Sequence, residues 1–378
     1  MKVAIVTHFP SHPDRFDGGV EAVSLTLSSS LACFPDLDVH IVTFDKSIKE
    51  ATISPWGKIT VHRLPAKTTS MIVHAVGKGR KTLQDYLARL SPDLVHAHDT
   101  YGIMVHGLKI PRVFTIHGFI HADILASNSK WKWLRSAIWR WIETSAWRDQ
   151  PHIISISPYV REMVSKFSDN CIHDIDNPVS EDCFQILRND QGRIIFSAAV
   201  ISPRKNPLSL LRAFELVLKD FPDAQLRLAG SIADPLYGQK LTETIRQNNL
   251  EHSVILLGKI TRAQLYQELA NASLFALTSL EENSPMGIEE AMAAGLPVVT
   301  SRRCGMPYMV RDGESGYLID PLAPDDIASR LKMLLGNDQL RASMGMVGKK
   351  IALEKYHSSQ VAAKTRDVYL EVLRGRAG

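Results

Sequence analysis

The chain has 378 residues, enough for about two domains, and its 45% hydrophobic and 22% charged residues are typical of globular proteins. Its net charge of +4 is too small to indicate a nucleic-acid-binding protein. No run of 18 apolar residues occurs and the N-terminus turns polar too soon for a signal peptide, so we expect neither a membrane span nor a secretion leader.

The cysteines show neither CxxC nor Cys/His ligand spacing. They are Cys33, Cys171, Cys183 and Cys304. We therefore expect reduced, partly buried thiols of a cytoplasmic protein and not a disulfide framework.

The first half alternates between apolar strands and helical segments, which predicts a doubly wound α/β sheet. Strands are predicted at 2–7, 39–43, 59–64, 94–97, 112–116 and 153–157. Gly18 and Gly19 follow the first strand and open a helix to about Cys33, where a glycine pair lets the backbone approach a ligand. Taken alone, such a pair is more often a turn. A GxGxxG fingerprint is absent, so a nicotinamide-dependent oxidoreductase is disfavoured.

Several histidines lie near the strand ends of this half. His117 follows the strand at 112–116, at the edge where ligands bind in open α/β sheets. Taken alone, a histidine beside a glycine is more often structural than catalytic. A metal site is suggested by His96, His98 and His106. Only His96 and His98 share a strand face, however, and no third ligand is evident. We therefore expect no metal.

The segment 130–148, KWKWLRSAIWRWIETSAWR, interleaves basic residues with tryptophan. A helical projection places Trp131, Leu134, Ile138, Trp141 and Ile142 on one stripe, opposite Lys132, Ser136, Arg140 and Glu143. The pattern fits a helix lying on an anionic membrane surface, and it equally fits a helix packed on its own domain with basic residues in solvent. The basic run 78–81 could extend a membrane-facing or acceptor-facing surface.

The second half restarts the α/β pattern after a hinge at 178–191 that is rich in turn-forming residues. Strands are predicted at 193–199, 225–229, 254–257, 274–278, 298–300 and 317–319. Arg204 and Lys205 lie in the turn after the first of these strands, where we expect Asn206 to cap a helix opened by Pro207. An isolated Arg-Lys pair is usually a solvated turn, but this turn is also where phosphates bind.

The stretch 278–300 is predicted to form strand, loop, helix, turn and strand, with Ser284 as helix cap and Pro285 as first helical residue. A helix N-terminus at the carboxyl end of a parallel strand is a natural anion site. Glu282 precedes this helix and Glu290 lies on it, and carboxylates accept hydroxyl donors. The alternative is that Glu281, Glu282 and Glu289 are solvated charges stabilised by the helix dipole.

Glu282, Glu290 and the following AMAAGLPVV closely resemble the signature of the family-four (group 1) retaining glycosyltransferases, which have the GT-B fold. Further likenesses cover nearly the whole chain: the glycine pair at 18–19, DLVHAHD at 93–99, FTIHG at 114–118, DNPV at 176–179, SPRKNP at 202–207, LAG at 228–230, LLGKI at 256–260 and the run from Cys304 to Gly316. The resemblance implies two Rossmann-like domains facing each other across a cleft: 1–185 for the acceptor, 186–357 for the nucleotide sugar, and a helix 358–378 returning to the first domain.

The resemblance also implies residue roles. His117, Arg204, Lys205 and Glu282 would serve catalysis, with His98 and Asp99 as weaker candidates on the acceptor side. The donor would be bound by Gly18, Gly19, Lys259, Ser284, Pro285, Met286, Gly287 and Glu290. In that family Lys205 clamps the diphosphate together with an arginine, whereas this chain has Val200 at the arginine position. Either Arg204 supplies the missing charge, or Lys205 and backbone amides hold the diphosphate.

The implied activity is metal-independent transfer of a sugar, with retention, from a nucleotide-diphosphate sugar to a glycan or lipid-linked acceptor, with no other cofactor. A UDP-sugar is favoured over a GDP-sugar, and a cell-surface polysaccharide is the expected product. The expected location is the cytoplasm, with peripheral contact at the inner face of the membrane. One alternative is a GT-B nucleotide-sugar epimerase. The other is a non-catalytic sugar-binding or scaffold homologue, which is suggested by Val200 at the position where the family has arginine.

Overall fold

The structure is a computed structural model that describes residues 1–16, 18–66, 71–126, 130–190 and 192–375. The residues form two compact units. The first comprises 1–124, 133–178 and the chain from Ser358 onward, and the second comprises Val179–His357 and the described residues between 125 and 132. The domain boundaries at 185/186 and 357/358 remain predictions about where independently folding domains begin.

The first unit is built on an eight-stranded sheet in the order β3-β4-β2-β1-β5-β6-β7-β8. Every strand pair is parallel except β3 with β4. Its strands are β1 (Lys2–Val6), β2 (Asp38–Asp45), β3 (Thr52–Trp56), β4 (Ile59–Pro65), β5 (Leu94–His98), β6 (Arg112–Ile116), β7 (His152–Ser155) and β8 (Cys171–Asp174). Sequence analysis missed only β3 and β8 among the described strands of this sheet.

Alternate residues of each strand point to opposite faces of this sheet, and the central strands carry apolar residues on both faces. Helices therefore cover both faces. The helices of this part of the chain are α1 (Gly19–Leu31), α2 (Met71–Val76), α3 (Lys78–Leu90), α4 (Thr100–Met104), α5 (Ile120–Ala126), α6 (Lys132–Asp149), α7 (Pro158–Ser165) and, at the end of the chain, α15 (Ser358–Arg374). One core packs α1 and α15 on one face, and the other core packs the remaining helices on the opposite face.

The second unit is built on a six-stranded, wholly parallel sheet in the order β11-β10-β9-β12-β13-β14. Its strands are β9 (Ile194–Ala198), β10 (Gln225–Ala229), β11 (Val254–Gly258), β12 (Leu274–Leu277), β13 (Val298–Ser301) and β14 (Gly316–Ile319). Its helices are α8 (Glu181–Phe184), α9 (Pro207–Leu218), α10 (Pro235–Gln247), α11 (Arg262–Asn271), α12 (Met286–Ala293), α13 (Pro324–Leu335) and α14 (Asp338–Lys355), with a 3₁₀ turn at Met306–Tyr308. All six strands were predicted to within two residues at each end.

Helix α6 packs on the first unit through residues on the side opposite the predicted apolar stripe. Ser136 and Glu143 are buried, and Glu143 accepts hydrogen bonds from the Ile120 backbone N–H (2.7 Å) and from His121 Nδ1 (2.8 Å). The predicted apolar stripe is largely exposed, at 59% for Leu134 and 72% for Trp141. The alternative in which this stripe packs on the helix's own domain is therefore wrong, because buried hydrogen bonds to Glu143 fix the orientation of the helix.

Among the described residues, no helix combines the length and the apolar character needed to cross a bilayer.

Candidate active site

The carboxyl ends of β9 and β12 form the topological switch point of the second sheet. From β9 the chain continues outward to β10 on one side, whereas β12 lies on its other side. Loops leaving two such strands diverge and leave a crevice in which ligands of α/β proteins bind. The turn with Arg204 and Lys205 follows β9, and the segment 278–285 follows β12. The fold therefore brings together the two stretches in which sequence analysis placed the phosphate-binding and sugar-binding groups.

A partly buried ion cluster, which we call the charged triad, is formed by Arg204, Lys205 and Glu282. Lys205 Nζ donates a hydrogen bond to Glu282 Oε1, and Arg204 Nη1 lies 3.3 Å from Glu282 Oε2. Glu282 is 8% exposed. Burial alone would raise the pKa of Glu282, but the charges of Lys205 and Arg204 outweigh it and lower this pKa. Two cations and one carboxylate leave the triad with a net positive charge.

Backbone contacts hold the two loops of the triad together. The Leu280 N–H donates to the Arg204 carbonyl (2.8 Å), and Arg204 Nη1 also donates to the Glu281 carbonyl (2.9 Å). A Cβ at Gly305 would lie 1.7 Å from the Asn283 carbonyl oxygen, so only glycine permits this approach. The orientation of Glu282 is therefore fixed by backbone packing as well as by its ion pairs.

Helix α12 begins at Met286, and Pro285 is its N-cap residue, so the prediction of Ser284 as the capping side chain was wrong. Ser284 Oγ instead donates to Glu289 Oε1 at 2.6 Å. Glu289 is fully buried. Gly287 packs its Cα face against the end of β9, where an added Cβ would lie 3.0 Å from the Ala198 carbonyl oxygen.

Neither Glu282 nor Glu289 is a solvated charge, so that alternative is wrong for both residues. Sequence analysis considered Glu289 only as a solvated charge and gave it no part in the site. The sequence feature that could have identified Glu289 is Ser284, five positions earlier. A serine just before a helix can donate a hydrogen bond to a carboxylate on the first turn, as Ser284 does here.

Glu290 points toward a half-buried group of residues at α8 and α11. Burial raises the pKa of Glu290 to about 7, and the neighbouring Arg262 partly opposes this shift. Glu290 in turn helps to raise the pKa of the buried Cys183 thiol, after burial itself. Arg262 also lies 3.6 Å from Asp182 and donates to the Tyr266 hydroxyl. Glu290 therefore carries a variable charge near neutral pH.

The other predicted donor residues belong to different segments of the two units. Lys259 follows β11 and is exposed. Gly18 is the extended N-cap of α1, and a Cβ there would meet no described atom within 4 Å, so no internal contact requires glycine. Gly19 is the first residue of α1. Val200 follows β9 in a loop packed against Gly230, where a Cβ would lie 2.0 Å from the Ala199 carbonyl oxygen.

In the first unit, three imidazoles form a chain, which we call the histidine chain: the buried His96 and His98 and the partly buried His117. His117 directly follows β6, as predicted, and its Nε2 lies 2.8 Å from His98 Nδ1. His96 contacts the Tyr369 hydroxyl (2.7 Å) and Thr115 Oγ1 (2.6 Å). Burial lowers the pKa of His96 to about 3, that of His117 to about 4 and that of His98 well below its usual value. All three are neutral near pH 7.

The partner of His98 is therefore His117, which the sequence search for a third histidine did not consider. His106 lies apart from this chain, with Nδ1 3.2 Å from the Asp149 carboxylate. Asp99 follows β5 with a left-handed backbone (φ 51°), and burial raises the pKa of its carboxyl group to about 7.

Two doubly wound sheets, parallel except for the edge strand β3 and with a charged crevice at the switch point of the second, are the architecture of GT-B glycosyltransferases. The solved structures that share it include sucrose-phosphate synthase from Thermosynechococcus elongatus, with a TM-score of 0.83, 16% identity and 99% of each chain covered. They also include Anabaena HepE in complex with UDP-glucose, with a TM-score of 0.74, 17% identity, and 98% of this chain and 100% of that chain covered. These likenesses establish the GT-B fold.

The sequence places the chain more narrowly. Residues 17–182 match the model described as Glycosyltransferase Family 4, and residues 179–351 match the model described as Glycosyl transferases group 1. The chain belongs to this family. It is 25% identical to an uncharacterised glycosyltransferase of Methanocaldococcus jannaschii, over 93% of this chain and 95% of the relative. It is 27% identical to an MMP alpha-(1->4)-mannosyltransferase of Mycolicibacterium hassiacum, over 73% of this chain and 70% of the relative.

Proposed function

We propose that this glycosyltransferase moves a hexosyl group, with retention and without a metal ion, from a UDP-sugar to a glycan or lipid-linked acceptor in cell-surface polysaccharide synthesis. The observation that carries the proposal is the charged triad at the switch point, beside the N-terminus of α12. Its net positive charge and the helix N–H groups suit a diphosphate, and its carboxylate suits sugar hydroxyls.

In the proposed reaction the bond between the anomeric carbon and the diphosphate oxygen breaks as the acceptor oxygen bonds to the same face of that carbon. The departing phosphate takes the proton of the acceptor hydroxyl. Negative charge grows on the diphosphate, where Lys205, Arg204 and the N-terminus of α12 stabilise it without a metal ion. Glu282 would bind hydroxyls of the transferred sugar, and Glu290 those of the ribose.

Calorimetric titration with UDP, GDP, ADP and TDP, each with and without magnesium, tests the donor site. We expect UDP to bind equally well in EDTA, and we expect Glu290→Ala to weaken binding about tenfold, because a carboxylate that accepts two ribose hydroxyls contributes about 1–2 kcal/mol. The exposed Glu354 on α14 provides a matched control, since Glu354→Ala removes a carboxylate from a helix surface in the same unit.

The pH dependence of binding adds a second readout. Donor hydroxyls favour the charged form of Glu290, whose pKa is about 7 without ligand, so affinity should decrease as the pH falls through 7. Glu290→Ala should lack this component. Failure of every nucleotide to bind would contradict the donor site and favour the non-catalytic alternative. Conversion of the donor into a different nucleotide sugar without an acceptor would favour the epimerase.

We also propose that the exposed face of α6 contacts an anionic membrane surface, which would place the enzyme at the inner face of the membrane. Trp133 and Trp141 are 74% and 72% exposed, and Arg135 and Arg140 are exposed on the same helix. Tryptophan beside basic residues suits the boundary between headgroups and acyl chains, where the cations meet lipid phosphates.

Sedimentation with phosphatidylglycerol vesicles tests this surface. Trp133→Ser with Trp141→Ser should reduce binding about tenfold or more, because each tryptophan would lose about 1 kcal/mol or more of burial. Leu134→Ser should also weaken binding, whereas Leu236→Ser, at a residue that is 77% exposed on α10, serves as the matched control. Equal binding to neutral vesicles, or no effect of the tryptophan substitutions, would contradict the proposal.

A further inference from the structure

Four potential metal ligands converge at the β8 edge of the first sheet. His152 begins β7, Cys171 and His173 lie on β8, and Glu371 lies on α15. The strands pair with His152 opposite Cys171, and strand alternation places His173 on the same face as Cys171. This is the face on which α15 packs, since Ile154 shares its core with residues of α15. The topology therefore assembles ligands that are far apart in sequence.

The distances among the four groups fit a single ion. One ligand atom from each residue lies within 4.8 Å of all the others. His152 Nδ1 and His173 Nε2 are 3.2 Å apart. Two nitrogens bound to tetrahedral Zn²⁺ at about 2.0–2.1 Å are separated by about 3.3 Å, so the histidine pair already has the required spacing. Cys171 and Glu371 are exposed, which gives an ion access from solvent.

We propose that His152, Cys171, His173 and Glu371 bind one zinc ion. Two imidazoles, a thiolate and a carboxylate are a ligand set that Zn²⁺ prefers, and the two anionic ligands balance its charge. Four protein ligands close the coordination sphere, so the site is structural. It would join α15 to the short edge strand β8 and would add the free energy of metal binding to the stability of the first unit.

A simple hydrogen bond between the two histidines is the competing explanation. It accounts for the 3.2 Å contact but not for the thiol and the carboxylate that face the same point. Arg161 on α7 also lies near Cys171, but its guanidinium is hydrogen-bonded to Asp174 at 2.7 and 2.9 Å. The neighbouring positive charge is therefore already paired with a carboxylate.

Zinc titration of the full chain after EDTA treatment and dialysis tests the proposal. We expect one zinc per chain, and we expect Cys171→Ser to weaken the affinity about 100-fold, because loss of a ligand should cost at least as much as loss of a group that orients one. Cys33→Ser is the matched control, since Cys33 is also an exposed free thiol. Cobalt should show a sulfur charge-transfer absorption in the wild type and in Cys33→Ser, but not in Cys171→Ser.

Zinc that binds equally to the two cysteine variants, or zinc that the wild type does not retain on dialysis, overturns the proposal. Circular dichroism of the zinc-free proteins checks that Cys171→Ser folds. UDP binding provides a separate readout, because the charged triad belongs to the second unit. It should be unchanged by Cys171→Ser, so the zinc site and the donor site can fail independently.

Discussion

Replacing Lys205 by alanine should slow sugar transfer about 10²–10³-fold. Removing one preorganised donor from a site of developing negative charge typically costs this much in kcat. Lys205 is only 15% exposed in its side chain and lies against Glu282, so its ammonium group is held in place before the reaction begins. Water cannot readily replace it, because the position is buried between the loops that follow β9 and β12.

Release of nucleoside diphosphate from the UDP-sugar, with water as the acceptor, measures this effect without knowledge of the natural acceptor. Lys205 is expected to act mainly on the departing diphosphate, so kcat should fall more than the affinity for UDP. Lys219→Ala is the matched control, because Lys219 is an exposed lysine at the end of α9. Equal losses in kcat and in UDP affinity would contradict a role specific to the transition state.

Loss of Lys205 also leaves Glu282 buried with Arg204 as its remaining cation. A folding defect could therefore imitate a catalytic one, and Lys205→Gln, which keeps a hydrogen-bond donor near Glu282, separates the two. It should fold as well as the wild type but remain slow, because the positive charge is absent. Arg204→Ala in the same assay tests whether Arg204 compensates for the valine at position 200.

The strands of the second sheet were predicted better than those of the first. The reason is that buried central strands have a clear apolar pattern, whereas exposed edge strands do not. β9 and β12 are continuous apolar runs buried on both faces, which a sequence reveals directly. β3 is exposed and contains Pro55, and β8 consists of the partly exposed CIHD. Both are edge strands of the first sheet, where pairing with one neighbour leaves little hydrophobic pattern.

The part of the candidate site that was predictable from the sequence consists of residues whose position follows from the order of the strands. Arg204, Lys205 and Glu282 follow strands that adjoin in the sheet, so their meeting follows from the topology. Contacts set by side-chain packing were not predictable. Glu289 was considered only as a solvated charge, because it is charged, although it is buried against Ser284. The alternative in which the apolar stripe of α6 packs on its own domain rested on hydrophobicity, whereas the buried Glu143 determines which face packs.

The first unit should lose stability steeply as the pH falls from 7 to 5. Burial keeps His96 and His117 neutral, with pKa values of about 3 and 4, whereas an unfolded histidine has a pKa of about 6.5. The unfolded chain therefore binds more protons over this range, so stability is complete above pH 6.5 and decreases below it. Each such histidine contributes about 2 kcal/mol of loss between pH 7 and pH 5.

Other buried titratable groups of this unit change the size of this loss in unfolding free energy but not its direction. The pKa of Asp99 is raised to about 7, so Asp99 takes up its proton in the folded state and offsets about one histidine. Burial lowers the pKa of His62 to about 4, which adds to the loss. With His98 included, the net loss of unfolding free energy should be about 4 kcal/mol or more.

Urea unfolding followed by tryptophan fluorescence measures this loss in the first unit. Five of the six tryptophans belong to this unit, and two of them, Trp139 and Trp147, are buried in one of its cores. The sixth, Trp131, is 78% exposed. Replacing His96 by glutamine, which retains hydrogen-bonding groups but does not titrate, should reduce the pH dependence by about one proton. His12→Gln, at an exposed histidine, should leave it unchanged. A flat dependence in the wild type would contradict the assignment of neutral imidazoles to the histidine chain in the folded protein.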